Sequence, residues 1–108
     1  MAAVAKFGAI CSGHQCWPPR NNTGASTDVF VNGLGVIRVG DPWNIHICDE
    51  QAHVGSVAAG SGSVFVNGQP VARIGDAINC GSIIAEGSTD VFAGGSGGGG
   101  GFSVGEIF

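Results

Sequence analysis

Tyrosine is absent from this chain, and lysine and arginine together supply only four of its 108 residues. So few cations cannot track a phosphate backbone, because nucleic-acid affinity grows with the number of phosphates neutralised, and nucleic acid is excluded as a partner. Charged residues of either sign make up 11% and leave a formal net charge of −4. No apolar run approaches the roughly 18–20 residues that a bilayer-spanning helix needs. The stretch Met1-Ala2-Ala3-Val4-Ala5-Lys6 has one lysine and a broken apolar run, too little for a Sec signal. Synthesis in the cytoplasm is therefore expected, followed by retention or by another export route. No stretch of ten residues has a convincing amphipathic helical period. The glycine-rich run at 94–101 carries no lysine and no Walker pattern, so it reads as flexible linker and not as a phosphate loop.

What is abundant is glycine, at 21 residues. Glycine loses the most backbone entropy on folding. A chain of this length forms one domain and buries only about 60–65% of its unfolded surface. Its core is expected to be thin, and a disulfide, a metal or a partner is expected to supplement it.

One phrase recurs. Ser26-Thr27-Asp28-Val29-Phe30-Val31-Asn32-Gly33 returns as Ser61-Gly62-Ser63-Val64-Phe65-Val66-Asn67-Gly68, and in degraded form as Gly87-Ser88-Thr89-Asp90-Val91-Phe92-Ala93-Gly94. The first two copies also share their continuation, Val36-Ile37-Arg38-Val39-Gly40-Asp41 and Val71-Ala72-Arg73-Ile74-Gly75-Asp76. A valine-rich strand, an Asn-Gly pair and a returning valine-rich strand predict a β-hairpin with a type I′ turn. The fold expected is mostly β: a small single domain of repeated hairpins in a pseudo-threefold arrangement with long loops. Residues 1–25 and 42–60 read as irregular connections, and 83–93 as a last extended segment. Strand alternation sets Phe30 and Phe65 opposite their valine neighbours. Core filling is the plainer role for these rings, and a face for a partner is the alternative. Arg38 with Asp41, and Arg73 with Asp76, read as turn-holding pairs.

The three histidines and four cysteines fall in the connections. His14 precedes the first hairpin, His46 and His53 lie between the first and second, and Cys80 follows the second. If the hairpins surround a threefold axis, these connections converge at one end. Three imidazoles and a thiolate there suit tetrahedral zinc, although the spacing is not that of a zinc finger. The plain alternative is exposed histidines on polar loops. Cys11, Cys16 and Cys48 read as reduced, buried thiols. A Cys11–Cys16 or Cys16–Cys48 disulfide, or Cys16 or Cys48 as a ligand in place of a histidine, stays open.

The repeated Ser-x-x-Val-Phe-Val-Asn-Gly…Arg-(Val/Ile)-Gly-Asp phrase resembles the PAAR-repeat proteins. So do Gly13-His14-Gln15-Cys16-Trp17-Pro18-Pro19-Arg20, His46-x-Cys48 with His53, and Asn79-Cys80-Gly81. The likeness runs from about residue 8 to residue 94, which divides the chain into a PAAR-like domain at 1–94 and a Gly-rich tail at 95–108. It implies a conical β protein that caps a trimeric β-helical spike, either of the VgrG type in type VI secretion or of a contractile phage baseplate. One tip per trimer, possible effector cargo, transient contact with the target membrane and no stable homo-oligomer follow from the same likeness. It also implies one structural zinc per chain, held by His14, His46, His53 and Cys80, and no catalytic residue. Such a tip is assembled on the apparatus and carried across the target envelope. Two other readings are a disulfide-stapled secreted binding module and a hydrolase pairing a Cys80 nucleophile with a His14 base.

Overall fold

The computed structural model describes residues 2–13, 18–48 and 51–94, with the backbone alone at 46–48, 51 and 53. The described residues hold only strands, bridges and turns, as the glycine-rich, β-branched sequence predicts. Strand β1 is Ala2–Ala3, β2 Phe30–Val31, β3 Leu34–Gly35, β4 Pro42–Cys48, β5 Gln51–Ser56, β6 Phe65–Val66, β7 Gln69–Pro70 and β8 Phe92–Ala93. They pair as four antiparallel two-stranded sheets: β1 with β8, β2 with β3, β4 with β5, and β6 with β7.

The repeats are the frame. Val31 faces Leu34 and Val66 faces Gln69, each across an Asn-Gly turn. Asn32 and Asn67 both sit at φ 54°, with Gly33 and Gly68 at 82° and 83°, the paired left-handed residues of a type I′ turn. The third hairpin is closed by the opposite end of the chain. Ala93 faces Ala2 in the register that Val66 has with Gln69. Residues 2–9 are therefore the return strand of the third repeat, and the expectation of an irregular segment over 1–25 fails there. The signal lay in Val4-Ala5-Lys6-Phe7-Gly8-Ala9, a weakened copy of Val36-Ile37-Arg38-Val39-Gly40-Asp41 displaced to the front of the chain. Gly8, Gly40 and Gly75 share the positive φ of that phrase, at 88°, 96° and 91°.

The three return strands close a triangle. Ala5 N–H donates to Ala72 O (2.9 Å), Ala72 N–H to Ile37 O (2.9 Å), and Ile37 N–H to Ala5 O (3.1 Å). Every backbone group at this pseudo-threefold axis is satisfied, and the three side chains are wholly buried. One apolar cluster, with Val4, Val31, Val36, Val66, Val71 and Ala93, fills the hairpin layer. A second, with Cys11, Trp43, Val57, Ile78 and Ile84, gathers on Ala5, Ile37 and Ala72 beneath the connections.

Phe30 and Phe65 do not fill either cluster. They are 54% and 56% exposed, and Phe92, their third-repeat counterpart, is 43% exposed. The valines of each strand occupy the interior, and alternation turns the phenylalanines outward.

Between the hairpins, the chain makes three antiparallel arms. The stem of the first is the Ile10↔Asn21 bridge. The second is the β4–β5 hairpin, the longest regular element among the described residues, where the sequence predicted an irregular loop. The third is closed by the Ala77↔Ile83 bridge. The arms pair around the axis: Asn22↔Trp43 joins the first to the second, Val57↔Ile78 the second to the third, and Cys11↔Ile84 the third to the first.

Candidate functional site

The arms carry the predicted ligands. Cys80 sits at the tip of the third, in the sequence Asn79-Cys80-Gly81. Its turn is closed by Gly81 N–H to Ile78 O (3.0 Å) and by Ile78 N–H to Ser82 O (2.9 Å), with Gly81 at φ 107°. Asn79 stitches that tip to the end of β5. Its N–H donates to Ser56 O (3.0 Å), its Oδ1 accepts from Ser56 N–H (3.1 Å), and its Nδ2 lies 3.1 Å from Ser56 Oγ. The Cys80 thiol is free and half-buried. It lies over Gly55 of β5, where an added Cβ would stand 3.2 Å from Sγ and 2.7 Å from Ile78 Cγ2. Glycine at 55 therefore lets the third arm approach the second.

His46 and His53 are Cα partners across the β4–β5 ladder, beyond the register shift that separates Trp43 from His46. His53 stands two residues from Gly55. The structure thus places the backbones of two predicted ligands directly opposite one another, on a strand that the Cys80 arm touches. His14, Cys16, Asp49 and Glu50 lie outside the described residues. Among the described side chains, no three of histidine, cysteine, aspartate and glutamate gather into a group suited to a metal ion.

Cys11 is a free thiol, 2% exposed, and its Sγ accepts the Arg20 N–H (3.2 Å). It is the buried thiol that the sequence suggested, and Cys16, the disulfide partner considered for it, lies outside the described residues. The arm behind it is anchored by Trp43, whose indole N–H donates to Arg20 O (2.6 Å), and by the Arg20 guanidinium, which donates from Nε to Ile45 O (2.9 Å). Gly55 was not singled out in the sequence, and Arg20 and Asn79 stood there only as members of longer motifs. Asn79 was visible only as a neighbour of Cys80, and nothing in sequence marks a glycine as the clearance for another arm.

Polar ties repeat with the symmetry at the hairpin layer. Arg38 grips Asp41 through Nε–Oδ2 (2.9 Å) and Nη2–Oδ1 (2.9 Å), and Arg73 grips Asp76 through Nε–Oδ2 and Nη2–Oδ1 (3.0 Å each). These are the turn-holding pairs expected. The hydrogen bonds to Asp41, opposed by partial burial, raise the Arg38 pKa above its ordinary value. Each turn then reaches the next repeat. Asn67 binds Ser26 (2.8 Å) and donates to Asp28 (3.0 Å), and Asn32 binds Ser88 (2.6 Å) and donates to Asp90 (2.9 Å). At the third corner, the Gly94 carbonyl stands where the asparagine would be and accepts from Ser61 Oγ (2.6 Å) and Arg73 Nη1 (3.1 Å). The substitution is coordinated: where Asn gives way to Gly94, the facing Asp gives way to Ser63, whose Oγ is buried without a partner.

A threefold frame built from one chain, with three paired arms, is a small single-domain β fold. The PAAR motif profile matches residues 8–86 and again 49–97, which covers most of the chain. The chain belongs to the PAAR motif family. That motif is associated with the spike tips of contractile injection systems, and the family is structural and works in association with a spike protein. Comparison with curated proteins gave no match.

Proposed function

We propose that this protein is the metal-stabilised tip that caps a trimeric spike and sharpens it for passage through a target envelope. The observation that carries the reading is the closed triangle of Ala5, Ile37 and Ala72. It gives a single chain three quasi-equivalent sides, the symmetry needed to sit on three identical chains with similar contacts to each. Phe30, Phe65 and Phe92, exposed once per repeat, give each spike chain an apolar counterpart. One tip per trimer follows. The protein would be made in the cytoplasm and ride the apparatus outward, with effector cargo as an optional passenger.

The metal reading rests on the donor chemistry of the arms. Cys80 is a free, half-buried thiol on a pinned tip, and His46 and His53 are opposed on the neighbouring arm. These residues fit a zinc site, completed by His14 from the first arm. Zinc bound there would cross-link three arms at the end farthest from the valine core, where few side chains remain to pack. Four protein ligands leave no open position for a catalytic water, so the metal is structural and the protein is not an enzyme. In zinc-finger peptides, such binding contributes on the order of 10–16 kcal/mol to folding. Less is expected here, because the hairpin layer has its own core.

The test has two parts. Plasma mass spectrometry on protein purified without a nickel column is expected to find about one zinc per chain, falling on replacement of His14, His46, His53 or Cys80 by alanine. Co-purification with a trimeric spike protein is expected to give one tip per three spike chains. Unchanged zinc in all four variants refutes the ligand set, and a tip that binds no spike refutes the capping role.

A further inference from the structure

The third repeat differs from the other two in one more respect. Lys6 takes the place of Arg38 and Arg73, and Ala9 takes the place of Asp41 and Asp76. Among the described residues, Lys6 has no carboxylate within ion-pair distance; its ammonium makes one long hydrogen bond, 3.4 Å, to Asn32 Oδ1. A groove of about 580 Å³ opens beside it, with Phe7, Leu34 and Ile74 as its apolar lining and Glu86 at its edge. Phe7, Leu34 and Ile74 are 47%, 41% and 41% exposed. One Glu86 carboxylate oxygen is already occupied by the Ile10 N–H (3.1 Å).

We propose that this groove is the docking site for the chain's own residues 102–108, Phe102-Ser103-Val104-Gly105-Glu106-Ile107-Phe108, with their apolar side chains on Phe7, Leu34 and Ile74 and Glu106 paired with Lys6. Three observations favour this occupant. The chain leaves the fold at Gly94, a buried residue held by Ser61 and Arg73, one residue beyond the β8–β1 pairing and on the same repeat as the groove. The seven residues 95–101 are six glycines and a serine, and at full extension they span about 25 Å. The segment beyond them is four-sevenths large apolar and carries one acid, matching a groove with three exposed apolar side chains and a lysine that has no carboxylate within ion-pair distance among the described residues.

The tether makes weak affinity sufficient. A short flexible linker holds its cargo at an effective concentration of the order of 1 mM, so a peptide with a separate dissociation constant near 1 mM is docked about half the time. The docking is independent of the spike reading and requires no metal.

The test is solution NMR on the whole chain. In the native sequence, the amides of residues 102–108 are expected to show faster transverse relaxation than the glycines at 97–100. In the full-length variant Phe102→Ser/Ile107→Ser/Phe108→Ser they should relax as a free tail, with shift changes confined to Lys6, Phe7, Leu34, Ile74 and their neighbours. Glu106→Lys is expected to lower the docking equilibrium constant about two- to five-fold, the range of an exposed ion pair. Adding Lys6→Glu to it should restore docking. The tail substitutions lie outside the packed core, so the result does not hinge on a fold-disrupting change. Free-tail relaxation in the native chain overturns the proposal. So do shift changes that map elsewhere, or docking that rises with protein concentration, which would identify a second copy as the acceptor.

Discussion

Asp76 and Asp41 make the same bonds in different surroundings, which separates the worth of a charge pair from its geometry. The Arg73–Asp76 pair is 5% and 6% exposed at its side chains, and Arg38–Asp41 is 21% and 10%. Removing one partner of a buried pair leaves an uncompensated charge and costs about 3–5 kcal/mol. Asp76→Ala is expected to cost that much, and Asp41→Ala to cost clearly less, because water reaches Arg38. Urea unfolding of the two variants under metal-saturated conditions checks the order; equal losses would show that burial does not set the difference. The exposed carboxylates Asp28 and Asp90 behave differently. The asparagine amides of Asn67 and Asn32, followed by the hydroxyls of Ser26 and Ser88, hold both below the usual value of 3.8. A depressed folded-state pKa gives stability that is present above the unfolded pKa and lost as pH falls through the folded one. The loss therefore belongs below about pH 4. Asp28→Asn is expected to flatten the fall in unfolding midpoint there and leave the profile near neutrality unchanged in slope. A fall as steep as in the parent would show that the Asn67 tie does not contribute.

At the scale of elements, the third arm is held against the second by Asn79 and by the absence of a side chain at Gly55. Gly55→Ala introduces a methyl 2.7 Å from Ile78 Cγ2, closer than real Cβ contacts come, and 3.2 Å from Cys80 Sγ, a tight contact. Ile78 is buried and cannot give way, so the arm must move. The variant is expected to lose zinc more readily to a chelator and to alkylate faster at Cys80, while the distant hairpin layer stays folded. Unaltered chelation kinetics would mean that arm spacing does not govern the site. The hairpins themselves were legible in sequence, because Asn-Gly between valine runs specifies a local turn that needs no tertiary partner. The arms were not. Residues 42–56 do alternate, in Trp43-Asn44-Ile45-His46-Ile47 and in Gln51-Ala52-His53-Val54, but no Asn-Gly or Asp-Gly pair between the two runs marks a hairpin, and their pairing is fixed by Trp43 and Val57 packing on an axis built by residues far away in the chain. The Phe30 and Phe65 orientation was half legible: alternation set them opposite the valines, but only the assembled triangle decides which face is inside. Of the site, the residue types and their placement in successive connections were readable, and the backbone opposition of His46 and His53 needed the register.

The whole molecule is a ring of three repeats cut open at one corner. Two corners are closed by covalent Asn-Gly turns, and the third by the β1–β8 pairing, with the Gly94 carbonyl in the asparagine's place. Nothing in the packing makes the natural corner a better place for the cut, since the registers of all three hairpins match. Joining Ala93 to Ala2 through Asn-Gly and opening the chain between Asn32 and Gly33 should therefore give a permutant with the same fold. The new asparagine would also meet Ser61 and face Ser63, so Ser63→Asp in the permutant would complete the third Asn–Asp tie. In the native chain, Ser63→Asp puts a carboxylate opposite Gly94 with no amide to receive it, and is expected to destabilise. The two changes are thus expected to be non-additive, with Ser63→Asp costing stability alone and restoring it in the permutant. Thermal unfolding of the four proteins measures the coupling. A permutant that fails to fold would show that the covalent turn at Asn32-Gly33 does more than hold a register, and additive effects would show that the corners do not act as equivalent sites.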